Sequence, residues 1–187
     1  MKTDGNIVRS TVNVFGLIKG ILIAVVVVIL IIVLLGVPLP VNGSSMNPNF
    51  YNGDVVLIKR LSFVGDLQRG DVVAAAFPAD PTHTKLIKRV IGLPGDTITF
   101  DDYGHVSVNG KTLNEDTYKP IYGQLPAATV NNVTLGSGEY FLMGDNRPGS
   151  SDSRIWGPVQ SGDIQGRVEY IIWPFNKAAF IGTPIYN

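Results

Sequence analysis

Two adjacent serines, Ser44 and Ser45, follow the longest apolar run of the chain, in the stretch VNGSSMNPNF (residues 41–50). A serine hydroxyl is a weak nucleophile, and it attacks a carbonyl group only when a neighbouring base removes its proton. The usual base is a histidine held by a carboxylate. The first question is therefore which side chain of this sequence could activate either serine.

Histidine is a poor candidate for that base. The chain has two histidines: His83 lies in PADPTHT, which is typical of an exposed turn, and His105 lies at the start of a predicted strand. They are not spaced as a metal-binding pair such as HExxH, and the chain contains no cysteine. A surface role is favoured for both histidines, and no metal ion or other cofactor is expected.

Lysine is the other candidate, because burial disfavours the charged ammonium group and lowers the pKa of the amine. Lys88 lies in LIKRVIGLPGD, where strand alternation places it on the same face as Leu86 and Val90. A lysine that extends to solvent from an edge strand fits this pattern equally well. Lys59, in VVLIKRL, has a similar setting. The residues by themselves therefore leave two candidate bases.

A long apolar segment precedes the serines. Residues 20–37, GILIAVVVVILIIVLLGV, carry no charged or strongly polar side chain. At about 1.5 Å per residue they just cross a hydrocarbon core of roughly 30 Å, and Pro38 then ends the helix. The segment is longer than a typical buried core run or cleavable secretory signal, and no AxA-like cleavage site follows it. It predicts one transmembrane helix.

Basic residues predict the orientation of that helix. Three basic residues lie within residues 1–19, whereas the first basic residue after the segment is Lys59. By the positive-inside tendency, residues 1–19 are expected to be cytoplasmic. Residues 38–187 are then expected to form an extracytoplasmic domain, with the serines close to the outer surface of the membrane.

That domain is predicted to be mostly β with little helix, because its apolar runs are short, rich in β-branched residues and bounded by turn-forming residues. The runs are VVLIKRL (55–61), DVVAAAF (71–77), TKLIKRVIGL (84–93), DTITF (96–100), HVSVNGKTL (105–113), EYFLMGD (139–145) and RVEYIIW (167–173). Gly-Asp pairs precede four runs, where Gly suits the turn and Asp caps backbone amides. Asn109-Gly110 predicts a two-residue hairpin. Residues 114–138 are polar and are predicted to leave the core, with no assigned function.

Composition excludes one class of partner. Lysine plus arginine and aspartate plus glutamate number 15 each. The whole chain therefore has no excess positive charge with which to neutralise the phosphates of a nucleic acid. Its 187 residues suffice for one membrane segment and one compact domain.

Four sequence boxes resemble those of a known family. In order, they are GSSMNP (43–48), RGDVV (69–73), KRVIGLPGD (88–96) and GDNRPGSSDSR (144–154). Behind one N-terminal anchor, they resemble the boxes of type I signal peptidases, in particular the single-anchor Gram-positive members. The resemblance implies a single-pass plasma-membrane serine protease with a Ser/Lys dyad and a β catalytic domain on the outer face. Its partners would be the lipid bilayer and secretory preproteins, whose signal peptides it removes.

The resemblance also assigns roles to residues. Ser45 matches the nucleophile and Lys88 the general base, whereas Ser44 occupies a variable position. In the last box, Ser150 matches a serine that orients the lysine. Asp152 and Arg154 match a charged pair that supports the site.

Two positions near Ser45 differ from the family pattern. The backbone N–H of Ser45 is expected to hold the oxyanion. Some members add a side-chain hydroxyl two residues earlier, where this chain has Gly43, so the second donor is unassigned. Asn49 stands where the family usually has threonine.

Substrate recognition in the family is by strand addition, with small side chains preferred at the first and third residues before the cut. Met46 and Ile87 could line the pockets, although packing in the core explains them equally well. Aromatic residues near the C-terminus are candidates for a face in the lipid interface or for ordinary core and rim positions. They are Trp156, Trp173 and Phe175.

Two other functions fit parts of the sequence. The chain could be a peptidase dedicated to one client, such as a pilin, with the same dyad. It could also be a catalytically silent membrane-anchored binding module. The presence of Ser45, Lys88 and Ser150 argues against the silent module.

Overall fold

A computed structural model of the chain describes residues 4–61, 65–76, 84–124 and 132–183, and in the first helix the side chains of residues 14–30. The chain divides into two compact units, Met1–Val37 and Pro38–Asn187. His83 lies outside the described residues. The predicted domain bounds at residues 19 and 37 and their sides of the membrane stay predictions.

The first unit contains helix α1, Asp4–Leu35. The described side chains of this helix, those of residues 14–30, are exposed within the chain. Among the fully described residues, no helix combines the length and the apolar character that a membrane span requires. The transmembrane helix over residues 20–37 stays a prediction.

The second unit is a β structure of two sheets. The strands are β1 (Val37–Pro40), β2 (Val55–Arg60), β3 (Val72–Ala76), β4 (Lys85–Gly92), β5 (Thr97–Phe100), β6 (Val106–Val108), β7 (Lys111–Thr112), β8 (Asn132–Thr134), β9 (Glu139–Met143), β10 (Val159–Gln160), β11 (Ile164–Trp173) and β12 (Ala179–Phe180). The larger sheet has the order β1-β2-β11-β3-β4-β9-β10, with β12 beside β11, and the smaller has the order β7-β6-β5-β8. Helix α2 (Ser153–Trp156) and two 3-10 turns are the helical elements described in this unit. The mostly β fold with little helix is confirmed.

Turn chemistry sets where several strands begin. Asp54, Asp71 and Asp96 each accept the backbone N–H of the residue three positions earlier, and β2, β3 and β5 start directly after them. Each of these aspartates follows a glycine with positive φ, a conformation that glycine adopts without steric cost. Asn109 and Gly110 both have positive φ and join β6 to β7, as the predicted hairpin requires.

The central strands separate two hydrophobic cores. Val72, Ala74 and Ile87 belong to the first core cluster, whereas Val73 and Val90 belong to the second. Successive side chains of a strand point to opposite faces of the sheet, so β3 and β4 supply both cores. Because β4 is also paired with β9, the segment that follows β9 lies next to the strand that carries Lys88.

Candidate active site

Ser45 lies in a tight turn of residues 44–50. The backbone N–H of Asn47 donates to the carbonyl of Ser44 at 3.1 Å, and that of Phe50 donates to the carbonyl of Met46 at 2.9 Å. Met46 and Phe50 are both 1% exposed and pack in the first core cluster. Two buried apolar side chains therefore anchor the turn to the core, while Ser45 itself is half-buried.

Lys88 reaches Ser45 from strand β4. Its side chain is buried, and its Nζ donates to Ser45 Oγ at 2.7 Å and to the carbonyl of Ile87 at 3.2 Å. Lys59, the other candidate base, lies on β2 opposite Arg167. The structure thus brings Lys88 to the serine, which the local sequence pattern by itself could not decide.

Burial changes the acidity of this amine. Desolvation lowers the pKa of Lys88 from 10.5 to about 8, although the carboxylates of Asp152 and Asp145 raise it and the guanidinium of Arg154 lowers it. A lower pKa leaves more of the amine neutral near physiological pH. A neutral amine can accept a proton from a hydroxyl that donates to it.

The segment after β9 packs closely beneath the serine. The backbone N–H of Asn146 donates to the carbonyl of Ser45 at 2.9 Å. A Cβ atom at Gly144 would lie 2.5 Å from that carbonyl oxygen and 2.2 Å from Ser150 Oγ. Only glycine fits at position 144 without displacing one of these neighbours.

Asp152 and Arg154 form a buried ion pair with an Nη2–Oδ2 distance of 2.7 Å. Asp152 caps helix α2 and accepts the backbone N–H of Gly144 at 2.9 Å, and Arg154 donates to the carbonyl of Arg147 at 2.8 Å. The pair therefore ties both ends of the 144–154 segment together. Its contacts suit the predicted supporting role.

Ser150 lies next to Gly144 and is 4% exposed. Its hydroxyl makes no hydrogen bond with any residue that the structure describes. A hydrogen bond from Ser150 to Lys88 is thus not formed here, and its role in orienting the lysine stays a prediction.

A second carboxylate, Asp145, is part of the site although the residue pattern did not single it out. Arg89 donates to both of its oxygens, at 2.8 and 2.6 Å, and the side-chain amide of Asn49 donates to Oδ2 at 2.9 Å. Arg89 directly follows Lys88, and Asn49 belongs to the turn of Ser45. Asp145 therefore joins the strand of Lys88 to the turn of Ser45.

The N–H groups near Ser45 bear on oxyanion binding. Gly43 donates its N–H to Asn52 Oδ1 at 2.9 Å. The backbone N–H of Ser45 donates to no partner within the described ranges. The Ser45 amide is therefore available to a substrate oxygen, whereas the Gly43 amide is already in use.

The other candidate residues are distributed between core and surface. Met46 and Ile87 pack in the first core cluster, and Trp156 packs partly buried against the second. Trp173 and Phe175 are 49% and 78% exposed, with ring centroids 4.8 Å apart. Pocket and membrane roles for these residues stay predictions.

His105 is an exposed residue paired with Asp101, with Nδ1 and Oδ2 2.7 Å apart. Its ring lies 4.3 Å from that of Tyr122. These two contacts of His105 are with residues outside the turn of Ser45, in line with the surface role expected from the sequence.

Comparison with protein families identifies the class to which this fold and site belong. Residues 14–173, most of the chain, match the family described as signal peptidase, peptidase S26. The chain therefore belongs to the signal peptidase family, peptidase S26.

The chain is also similar to individual proteins, by sequence or by structure. Signal peptidase I of Bacillus licheniformis is 34% identical over 173 residues, which cover 88% of this chain and 91% of that protein. Subunit 1 of the mitochondrial inner membrane protease of Mus musculus is 37% identical over 142 residues, or 75% of this chain and 71% of that subunit. A signal peptidase I structure from Enterococcus faecalis is 31% identical, with a TM-score of 0.44, and covers 55% of this chain and 97% of its own. The enzyme class is that of type I signal peptidases.

Proposed function

We propose that this chain removes signal peptides from exported preproteins, with Ser45 as nucleophile and Lys88 as general base. The observation that carries the proposal is the 2.7 Å hydrogen bond between Lys88 Nζ and Ser45 Oγ, made by a lysine that is only 1% exposed. The similarity to signal peptidase I supports the substrate class. A buried amine beside a hydroxyl supplies a base, whereas the contacts of His105 are with Asp101 and Tyr122.

The proposed reaction has two halves. Neutral Lys88 takes the proton of Ser45, and Ser45 Oγ bonds to the carbonyl carbon before the cut. The peptide C–N bond then breaks, and the lysine ammonium gives its proton to the leaving amine. In the second half, Lys88 takes a proton from water, the resulting hydroxide attacks the acyl ester, and the proton returns to Ser45.

The transition state of each half carries a negative charge on the former carbonyl oxygen. The backbone N–H of Ser45 is our candidate donor to that oxygen, because it has no partner in the part of the chain that is described. Loss of one such donor typically costs about 3 to 4 kcal/mol of transition-state stabilisation.

The proposal includes attachment to the plasma membrane. Residues 20–37 would anchor the chain with its N-terminus in the cytoplasm, and the β unit would act on the outer face. Trp173 and Phe175 support contact with lipid because both are exposed and aromatic rings are favoured at the membrane interface. Met46 and Ile87, next to the dyad, are proposed to limit the cleavage site to small side chains.

A set of three variants tests the dyad. Purified full chain in detergent is mixed with a preprotein, and cleavage is compared for wild type, Ser45→Ala, Lys88→Ala and Ser44→Ala. We expect the first two variants to lose cleavage and Ser44→Ala to keep most of it. Cleavage at the wild-type rate by Ser45→Ala would refute the proposal, and a wild-type protein that binds but does not cut would favour a silent module.

A further inference from the structure

Residues 114–122, which the sequence pattern left without a function, contact the turn of Ser45, the strand of Lys88 and the 144–154 segment. We call this segment the brace. We propose that the brace sets the position of Ser45 relative to Lys88, and that Glu115 is the positioning residue that holds it. This inference rests on the proposed dyad.

The brace is attached by a buried ion pair. Glu115 and Arg147 have side chains that are 1% and 0% exposed, and Arg147 donates to both carboxylate oxygens. Tyr118 donates its hydroxyl to one of these oxygens, and Tyr122 donates to the other at 2.8 Å. Burial lowers the pKa of Arg147, but the neighbouring carboxylate outweighs this effect and raises it above its ordinary value. Arg147 thus stays charged beside this carboxyl group.

Backbone hydrogen bonds continue from the brace to the nucleophile. Ile121 donates to the carbonyl of Asp145 at 2.8 Å, and Arg147 donates to the carbonyl of Ile121 at 2.9 Å. Between these two positions, Asn146 donates its own N–H to the carbonyl of Ser45 at 2.9 Å. The brace is therefore one residue removed from the serine along a chain of hydrogen bonds.

Tyr118 contacts the other two parts of the site. Its carbonyl accepts the side-chain amide of Asn49 at 2.7 Å, and its ring lies 4.0 Å from the guanidinium carbon of Arg89. Asn49 is in the turn of Ser45, and Arg89 is adjacent to Lys88. One residue of the brace thus touches both the nucleophile turn and the base strand.

The side-chain amide of Asn49 can make two hydrogen bonds at once, and this contact requires both. Its amide donates simultaneously to the carbonyl of Tyr118 and to Asp145. The hydroxyl of threonine has only one hydrogen to donate, so it could not make both bonds. Asparagine at this position therefore links the turn to the brace and to the carboxylate that Arg89 holds.

The experiment uses the full chain in detergent with a peptide substrate, and measures kcat, KM, the midpoint of the kcat/KM pH profile and the thermal midpoint. The variants are Glu115→Gln, which leaves Arg147 without an opposing charge, and Asn49→Ala, which removes the side-chain hydrogen bonds from the nucleophile turn to Tyr118 and Asp145. The double variant, Glu115→Gln with Asn49→Ala, completes a double-mutant cycle. Asp102→Asn, an exposed carboxylate changed to an amide, is the matched control, and Lys88→Ala tests the dyad.

We expect both single variants to lose at least about 10-fold in kcat, with KM within about 2-fold of wild type. The pH midpoint should rise, because a displaced turn admits water to Lys88, whose other charged neighbours are Asp145, Asp152 and Arg154. Two variants that loosen the same brace should be non-additive, so the double variant should lose less than the product of the two effects. The control should match wild type.

Some outcomes would overturn the role of the brace alone, and one would overturn the dyad as well. Wild-type kcat and pH midpoint in folded Glu115→Gln and Asn49→Ala would overturn the brace alone. A loss that follows the unfolded fraction, with an unchanged midpoint, would do the same by showing a purely structural role. If Glu115→Gln does not fold, Asn49→Ala decides. Retained cleavage by Lys88→Ala would overturn the dyad and the brace with it.

Discussion

At the scale of the single residue, Lys88 should determine how the reaction depends on pH. Its pKa is lowered to about 8 by burial, and only the neutral amine can act as a base. The neutral fraction grows as pH rises, so kcat/KM should increase through a midpoint near the Lys88 pKa of about 8 and then level off. Initial rates with a peptide substrate at closely spaced pH values would measure this. A rate that keeps rising to the ordinary lysine pKa would contradict the buried base.

The same residue should destabilise the folded protein at neutral pH. Below about pH 8 the lysine is charged in both states, and the folded state carries the desolvation cost. A shift from 10.5 to about 8 corresponds to about 3 kcal/mol. Stability should therefore increase as pH rises from about 8 toward the unfolded-state value, because the unfolded chain then binds more protons.

Lys88→Met tests this cost. The variant should unfold at a higher temperature than wild type at pH 7, while losing cleavage. The advantage should shrink near pH 10, where the wild-type amine is neutral in the folded state. A Met variant that is less stable than wild type at pH 7 would show that the hydrogen bond to Ser45 outweighs the desolvation of the amine.

At the scale of the element, the turn after β9 depends on the absence of a side chain at position 144. Gly144→Ala would place a methyl group 2.5 Å from the carbonyl oxygen of Ser45, so Ser45 must move. A displacement of about 1 Å costs on the order of 100-fold in rate. We expect a loss of that size in kcat, measured with the same peptide substrate.

Two other glycines serve as controls for this change. Gly162→Ala meets no atom within 4 Å and should behave as wild type, whereas Gly166→Ala meets the carbonyl of Lys59 at 2.3 Å. The Gly166 variant should lower the thermal midpoint without changing kcat of the folded fraction. An active Gly144→Ala enzyme would mean that the turn can relax without moving Ser45.

Local elements of this fold could be predicted because their causes are local. The Gly-Asp turns at Asp54, Asp71 and Asp96 form hydrogen bonds over three residues, and such bonds depend on neighbouring residues only. The same holds for the strands and for the hairpin at Asn109. The family resemblance added the roles of Ser45 and Lys88, because the local residue pattern left open which serine and which lysine belong to the site.

The contacts that complete the site join residues that are far apart in the sequence. Asn49 and Asp145 are 96 positions apart, and Glu115 and Arg147 are 32 apart. In the sequence each of these residues is a polar side chain in a turn-rich segment, which is typical of the surface. Glu115, Asp145 and Arg147 are nevertheless buried and Asn49 is half-buried, and the residue pattern contains no sign of which segments meet.

At the scale of the whole molecule, charge is concentrated where the segments meet. The whole chain has equal numbers of acidic and basic residues, yet within the described ranges three ion pairs are almost fully buried: Arg89–Asp145, Arg147–Glu115 and Arg154–Asp152. Breaking one such pair commonly costs about 3 to 5 kcal/mol. All three involve the 144–154 segment, so the loss of either partner there would leave an uncompensated buried charge.

The exposed aromatic residues should matter only when the substrate is in a membrane. Trp173 and Phe175 are exposed next to each other, and Tyr170 and Phe180 form a second exposed pair with ring centroids 5.2 Å apart. The double variant Trp173→Ser/Phe175→Ser should cleave a soluble peptide at the wild-type rate. It should cleave a preprotein in lipid vesicles several-fold more slowly, because interfacial aromatic rings favour contact with the bilayer.

Tyr103→Ser, which removes an equally exposed ring from a different turn, is the control. Equal rates for the double variant and wild type in vesicles would assign the two rings to an ordinary exposed surface.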